Sequence, residues 1–213
     1  MRLVLIGPPG AGKGTIAEKV AANHGLAHLS TGDMLRDAIG RGTPLGAKAK
    51  EYVETGRLVP QEVLGEVVAE KVRQLDGFVL DGYPRSLEQA EFLAALEGVD
   101  LNAVIYVAVG EEEAVGRLRG RRVCAKCGAV THAEAAETCG NCGSGDLVAR
   151  TDDRPDTLKE RYGVYMRETE PVIEYYRGRG VLREVDGTGS REEVLARVEA
   201  AIGPIAACGD DKR

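Results

Sequence analysis

The chain has 213 residues, 43% hydrophobic and 29% charged, with a formal net charge of -6. That length buries one substantial core, so a single domain with insertions is expected rather than two full domains. The acidic balance argues against nonspecific binding to nucleic acid or an anionic membrane, and no apolar run approaches the roughly 20 residues that span a bilayer. Read without an export signal, the chain is expected in the cytoplasm, where its five cysteines are thiols or metal ligands rather than disulfides.

Residues 2–6 are an apolar run that enters a glycine-rich turn and then the apolar-periodic stretch 16–20, the pattern of a buried strand feeding a helix. From 31 to 60, Gly32, Gly40, Gly42, Pro44, Gly46 and Gly56 break the chain into short helical pieces, which reads as a small mobile flap. Apolar runs at 78–80 and 103–109 read as further parallel strands. Ser86-Leu-Glu-Gln89 spells a capping box at a helix start. Residues 121–153 are rich in Cys and Gly and nearly free of large apolar side chains. They cannot form a core of their own, so a metal-stapled insertion is expected. A late strand at 181–185 precedes a second capping box, Ser190-Arg-Glu-Glu193, and a last helix. This alternation predicts an α/β fold, a parallel sheet with helices on both faces.

The turn at 7–15 reads GPPGAGKGT. A glycine-rich turn between a strand and a helix aims backbone N–H groups and the positive helix terminus at an anion, with Lys13 reaching the outer phosphates. The usual form, GxxxxGK followed by Ser or Thr, places a hydroxyl on magnesium. Here Gly14 takes that place and the hydroxyl arrives one residue late, at Thr15.

Further motifs follow in order: STGDMLR at 30–36, GRLVP at 56–60, DGYPRS at 81–86, GRRVC at 120–124, RTDDRPDTLKERYGVY at 150–165 and VDGTG at 185–189. Together they resemble the adenylate kinases, nucleoside monophosphate kinases that convert ATP and AMP to two ADP, over nearly the whole chain. The resemblance implies a P-loop core at 1–30, 60–120 and 154–213, an AMP-binding flap at 31–59 and a lid at 121–153. It implies that Gly10, Ala11, Gly12, Lys13, Gly14 and Thr15 wrap the donor triphosphate, Thr15 on an inner phosphate. Arg117 would pack on the donor adenine, and Val130, Thr131 and Gly189 would complete the ATP site. Arg36 and Arg85 would hold the AMP phosphate, while Arg121, Arg150 and Arg161 close over the phosphates. Thr31, Gln89 and the backbones of Arg57, Leu58, Val59, Gly82, Tyr83, Pro84 and Arg85 would line the AMP pocket. In this family Gly14 is the rule, and Asp81, with Asp152 or Asp153, would order the waters of a nucleotide-bound Mg2+. A monomer binding ATP, AMP and ADP is implied.

The residues leave rival roles open. Gln89 is also the fourth residue of the Ser86 capping box, and Thr31 is placed to cap the helix that follows it. Arg122, Arg154 and Arg167 read as solvated surface charges. The chemistry itself fits, because phosphoryl transfer to a phosphate oxygen needs charge neutralisation, alignment and dryness rather than a strong base. Arginine supplies a planar, always-charged fork for phosphate oxygens.

Cys124-Ala-Lys-Cys127 and Cys139-Gly-Asn-Cys142 suit a tetrahedral structural Zn2+, with disulfides or a relict site as the rivals. The gap of 11 residues between the pairs is shorter than in the zinc-bearing members of the family, as if the hairpin had been trimmed and the knuckles kept. Cys208 reads as a bystander. Two other functions are weighed: a kinase of the same fold acting on CMP, UMP or GMP, and a zinc-ribbon nucleic-acid-binding module with a nucleotide switch. The latter needs stacking aromatics, and 121–153 contains no Phe, Tyr or Trp.

Overall fold

The computed structural model describes residues 1–132 and 137–209, without the side chains of 132, 155 and 204–209. Cys208 therefore lies outside the described side chains. In chain order the first elements are β1 (Arg2–Ile6), α1 (Lys13–His24), β2 (Ala27–Ser30), α2 (Thr31–Gly40), α3 (Pro44–Thr55), α4 (Gln61–Arg73), β3 (Phe78–Asp81) and α5 (Leu87–Ala95). They are followed by β4 (Ala103–Ala108), α6 (Glu111–Leu118), β5 (Arg121–Cys124), β6 (Val130–His132) and β7 (Leu147–Val148). A 3-10 turn (Thr151–Asp153), α7 (Pro155–Val164), a π-helical turn (Tyr165–Thr169), α8 (Glu170–Gly178), β8 (Leu182–Asp186) and α9 (Arg191–Gly209) complete the chain.

Five strands form a parallel sheet in the order β2-β3-β1-β4-β8. The central strand β1 is buried on both faces because its residues alternate between two cores. Leu3 and Leu5 pack with Ile16 and Val20 of α1 and with Val198 and Ile202 of α9. Val4 and Ile6 pack with Leu64 and Val68 of α4, Leu93 of α5, and Val172 and Tyr176 of α8. Burial on both faces is why the strand reads as a continuous apolar run. The α/β sheet expected from the sequence is thus present. The one strand missing from that reading, β2, is an edge strand paired only with β3 and half-buried throughout, so Ala-His-Leu-Ser carries no apolar run.

Helix starts follow local chemistry. Ser190 and Glu193 exchange both hydrogen bonds of a complete capping box. The Ser86 box is half-formed: Ser86 Oγ accepts from Gln89 N at 3.3 Å, but the Gln89 side chain goes elsewhere. The cap of α2 is Ser30, whose Oγ accepts from Asp33 N, and not Thr31, which is already inside the helix.

The glycine-broken stretch after β2 forms two packed helices, α2 and α3. Thr43 caps α3 by accepting from Gly46 N at 3.1 Å. A Cβ at Gly46 would overlap the Ala38 carbonyl of α2, whereas one at Gly40 would meet nothing. Gly46→Ala is expected to push the two helices apart and cost about 2 kcal/mol. Gly40→Ala, with no such neighbour, is expected to be neutral or to stabilise by a few tenths of a kcal/mol. Thermal melts of both variants check the contrast; equal effects would contradict the packing argument.

Candidate functional site

The loops after β1, β2 and β3 meet at the carboxyl edge of the sheet, the place where open α/β sheets hold ligands. After β1, residues 7–12 lead into α1, and Lys13 is the first residue of that helix. Its ammonium donates to the carbonyls of Gly7 and Pro8, each at 2.8 Å. Asp81, at the end of β3, lies beside this loop. A Cβ at Gly14 would stand 3.2 Å from Asp81 Oδ2, tighter than ordinary contact. The missing hydroxyl at position 14 thus makes room for a carboxylate that faces the helix start.

Positive charge converges here from several elements. Desolvation brings the Lys13 pKa down to about 7; Asp81 opposes the shift, while Arg85, Arg161 and Arg121 add to it. Burial, followed by Arg161, lowers the pKa of Arg85 to about 10. Burial and Arg36 bring that of Arg150 to about 10. Both arginines stay protonated at neutral pH.

Carboxylates answer this charge. Arg121 on β5 makes a bidentate pair with Asp153, Nε to Oδ2 at 2.7 Å and Nη2 to Oδ1 at 2.6 Å. With side chains only 14% and 5% exposed, that pair is little screened by solvent. Arg161 on α7 meets Asp152 at 2.9 Å and Asp153 at 3.0 Å. Arg36 on α2 pairs with Asp33 at 2.5 Å and approaches Asp152 at 3.9 Å, and Arg150 approaches Asp33 at 3.8 Å. Burial raises the Asp152 pKa, but Arg161, Arg36, Arg121 and Arg150 outweigh it and hold the carboxyl below its ordinary value. Asp33 likewise sits low because Arg36 overcomes its burial. The sequence reading did not single out Asp33; its signal was position, three residues before Arg36 on one helix face.

A cavity opens between the α2–α3 pair and the loop after β3. Thr31, Arg36, Arg57, Leu58, Val59, Gly82, Arg85, Gln89 and Arg161 line it, with Asp152 at its edge. Its apolar wall, Leu35, Val53 and Leu64, was not read from the sequence. Pro84 belongs instead to the adjoining cavity with Lys13, Tyr165 and Thr169. The Tyr83 side chain is fully buried and donates to Gln61 Oε1 at 2.8 Å, and Tyr83 lines neither cavity. The Arg57 guanidinium turns outward to Glu51 and the Tyr52 ring.

Gln89 is 1% exposed and bridges two segments: its Oε1 accepts from Arg85 N at 2.8 Å and its Nε2 donates to Val59 O at 3.2 Å. It neither completes the capping box nor stands free. Thr31 donates to Asp81 O at 3.3 Å. On the other side of the P-loop, Arg117 on α6 pairs with Glu113 and donates weakly to Gly189 O at 3.4 Å. Val130 and Thr131 lie on β6, paired antiparallel to β5.

The Cys-rich insertion is a three-stranded antiparallel sheet, β6-β5-β7. Its two knuckles repeat one backbone pattern. Gly128 N donates to Cys124 O and Gly143 N to Cys139 O; Cys124 N donates to Ala129 O and Cys139 N to Ser144 O. The Sγ atoms of Cys124, Cys127, Cys139 and Cys142 all lie within 4.8 Å of one another. Cys124 and Cys142 are 3.5 Å apart, as are Cys127 and Cys139. Those separations exceed the S–S bond of about 2.0 Å and match the roughly 3.8 Å spacing of four thiolates around a tetrahedral Zn2+ at about 2.3 Å. The four residues could hold zinc.

A family model described as adenylate kinase matches residues 5–181. The chain is 48% identical over 216 residues to an adenylate kinase of Archaeoglobus fulgidus, covering 96% of this chain and 99% of that protein. It is 46% identical over 213 residues to an adenylate kinase of Carboxydothermus hydrogenoformans, covering 95% and 99%. It is 44% identical over 216 residues to one from Rhizobium etli, covering 96% and 100%.

The position of Lys13 has a measurable consequence. With its pKa near 7, the ammonium is largely neutral at pH 8 until an anion draws a proton back. A polyphosphate bound at pH 8 is expected to be accompanied by uptake of up to about one proton, and its affinity to fall as pH rises above 7, by at most about tenfold per unit. Below pH 7 the lysine is already charged and that dependence flattens. Calorimetry in buffers of different ionisation enthalpy reads the uptake, which Lys13→Met should abolish.

Proposed function

The chain belongs to the adenylate kinase family, and we propose how its residues share that family's reaction, transfer of the terminal phosphoryl group of ATP to AMP to give two ADP. It is an ATP:AMP phosphotransferase. The observation that carries the assignment of roles is the convergence of Lys13 with Arg85, Arg161 and Arg121, from loop, core, helix and lid, within electrostatic reach of one point.

In this reading Gly10, Ala11, Gly12, Gly14 and Thr15 wrap the ATP phosphates with backbone N–H groups and the α1 terminus, and Lys13 follows the transferred group. Arg117, Val130, Thr131 and Gly189 form the donor nucleoside side. AMP enters the cavity between α2–α3 and the loop after β3, its base toward Thr31, Leu58, Val59 and Gln89 and its phosphate toward Arg36 and Arg85. The backbones of Arg57, Gly82, Tyr83 and Pro84 frame it. An oxygen of the AMP phosphate attacks the γ-phosphorus of ATP. The new P–O bond forms as the bond to the β–γ bridging oxygen breaks, and ADP leaves with that electron pair. No proton has to move, so no general base is needed.

Magnesium travels on the nucleotide oxygens and supplies further charge neutralisation. Asp81, facing the start of α1, is the carboxylate best placed to orient its waters, with Asp152 and Asp153 assigned a supporting part. Arg121, Arg150 and Arg161 cover the transferring group once residues 121–153 close as a lid and 31–59 as a flap over the core of 1–30, 60–120 and 154–213. Closure excludes the water that would otherwise accept the phosphoryl group. All the assigned residues lie on one chain, which supports a monomer acting on ATP, AMP and ADP. The unbridged thiols of the insertion support a reducing compartment, the cytoplasm. An insertion without Phe, Tyr or Trp speaks against nucleic acid as partner, and among the described residues no helix is long and apolar enough to cross a membrane.

With ATP and Mg2+, AMP is expected to exceed CMP, UMP and GMP as acceptor by about a hundredfold or more in kcat/KM, read as ADP formed. No ADP from AMP would overturn the assignment. Zinc held by Cys124, Cys127, Cys139 and Cys142 would act as a structural cross-link. Its removal by a chelator is expected to lower the melting temperature by several degrees while changing kcat at low temperature by no more than about threefold. An unchanged melting temperature would contradict the structural role.

A further inference from the structure

The loop after β3 carries Arg85, whose backbone N–H, backbone carbonyl and Nε are all engaged. Its N–H donates to Gln89 Oε1 at 2.8 Å and its Nε to Gly82 O at 2.7 Å. Its carbonyl accepts from Thr169 Oγ1 at 2.8 Å, across 84 positions of sequence. The first two contacts come from within the same loop and helix start. The third comes from another element, the π-helical turn Tyr165–Thr169.

A helical threonine ordinarily turns its hydroxyl back to the carbonyl four residues earlier. The Thr169 hydroxyl is instead committed to a distant loop, and the side chain is 6% exposed. The π turn explains how it gets there. From Arg161 to Tyr165 an α-helix overshoots one full turn by about 40°. From Tyr165 to Thr169 a π turn, with roughly 4.4 residues per turn, falls short by about 30°. The two offsets nearly cancel, so Arg161, Tyr165 and Thr169 share one face. An uninterrupted α-helix would carry Thr169 about 80° away. All three residues indeed line the same cavity with Lys13 and Arg85. Tyr165 adds an anchor to the sheet, its hydroxyl 3.4 Å from that of Tyr106 on β4.

We propose that Thr169 is a positioning residue for phosphoryl transfer: through the Arg85 carbonyl it fixes the Arg85 loop to the helix that carries Arg161, so one rigid segment sets the spacing of the two guanidinium groups. This rests on the reading that Arg85 holds the AMP phosphate. π turns inside α-helices are costly and recur at functional sites, and this one serves a specific contact.

The test is steady-state kinetics with AMP and ATP varied separately, on Thr169→Val, which keeps the shape and loses the donor, and Thr169→Ser, which keeps the donor. Thr169→Ala repeats the loss of the donor should the valine variant fold poorly. Loss of the donor is expected to raise the KM for AMP about fivefold or more, with the KM for ATP changed less than about twofold. Thr169→Ser is expected to restore the AMP value. In an Arg85→Ala background, Thr169→Val should add no further AMP defect, because the route runs through Arg85. A lower melting temperature with both KM values and kcat unchanged would overturn the proposal, as would equal rises for AMP and ATP. The Arg85→Ala single variant separates the two readings. If it leaves the AMP kinetics intact, the role of Arg85 fails; if it cripples them while Thr169→Val does not, only the positioning role fails.

Discussion

A concentration of like charge governs this protein. Lys13, Arg36, Arg85, Arg121, Arg150 and Arg161 gather at one edge of the sheet, where Arg36, Arg85, Arg121 and Arg161 lower the proton affinity of neighbouring cations. Such a cluster is tolerable only if carboxylates oppose it, since unpaired buried charge is costly. Asp33 pairs with Arg36, Asp153 with Arg121 and Asp152 with Arg161, and Asp81 opposes the fall in the Lys13 pKa. The compensation stops short of full satisfaction: Arg150 Nε and Asp152 Oδ1 are buried with no protein hydrogen-bond partner. A network optimised for stability alone would not leave them so. Phosphate oxygens share the bidentate geometry of the carboxylates, so on the roles proposed above substrate and aspartate would compete for one set of forks. Binding then becomes an exchange of partners rather than a fresh burial of charge.

The fold makes that exchange possible by keeping its rigid parts separate from its charged ones. The strands supply two apolar cores and almost no polar chemistry, while their carboxyl ends release the loops that carry it. Asp81 shows the junction: it is the last residue of β3, its carbonyl accepts from Thr31, and its carboxylate occupies space a side chain at Gly14 would crowd. The late hydroxyl of the phosphate loop is thus accompanied by a carboxylate on the neighbouring strand, which would have to give by a few tenths of an ångström to a Ser or Thr at position 14.

Much of this was legible because it depends on local chemistry. Buried parallel strands read as apolar runs, Ser190 and Glu193 met as a capping box, and paired CxxC knuckles brought four sulfurs together. What stayed hidden depends on partners far away in sequence. The edge strand β2 has no pattern of its own and exists by pairing with β3. Gln89 had two local explanations, a cap and a base contact, and the structure gave it a third, a bridge from Arg85 to Val59. The carboxylates were noticed at Asp152 and Asp153 as water-orienting groups, but their pairing with Arg161 and Arg121 is a matter of tertiary distance. No periodicity announces the π turn either, because one extra residue in a helical turn leaves the composition unchanged.

The insertion 121–153 has little apolar material for a core, and it brings together four cysteines that could hold zinc. Only Val123, Val130, Leu147 and Val148 offer apolar bulk in its sheet, and Val148 is 51% exposed. Apolar burial on that scale cannot offset the ordering of some thirty residues at about 1.5 kcal/mol each. Among the described residues each of the two knuckles closes through its own backbone hydrogen bonds, in the same pattern. A metal held by these four cysteines, all of the same insertion, would stiffen it and add no tie to the core. The insertion's charged attachments to the rest include the pairs of Asp152 and Asp153 with Arg161 and of Arg150 with Asp33, and Gly120 at its entrance has a φ of +76° that favours glycine. On the proposed reading stiffness within and charged pairs to the rest are complementary: a cross-linked insertion would close as one piece against the arginine and carboxylate network assigned to the phosphates.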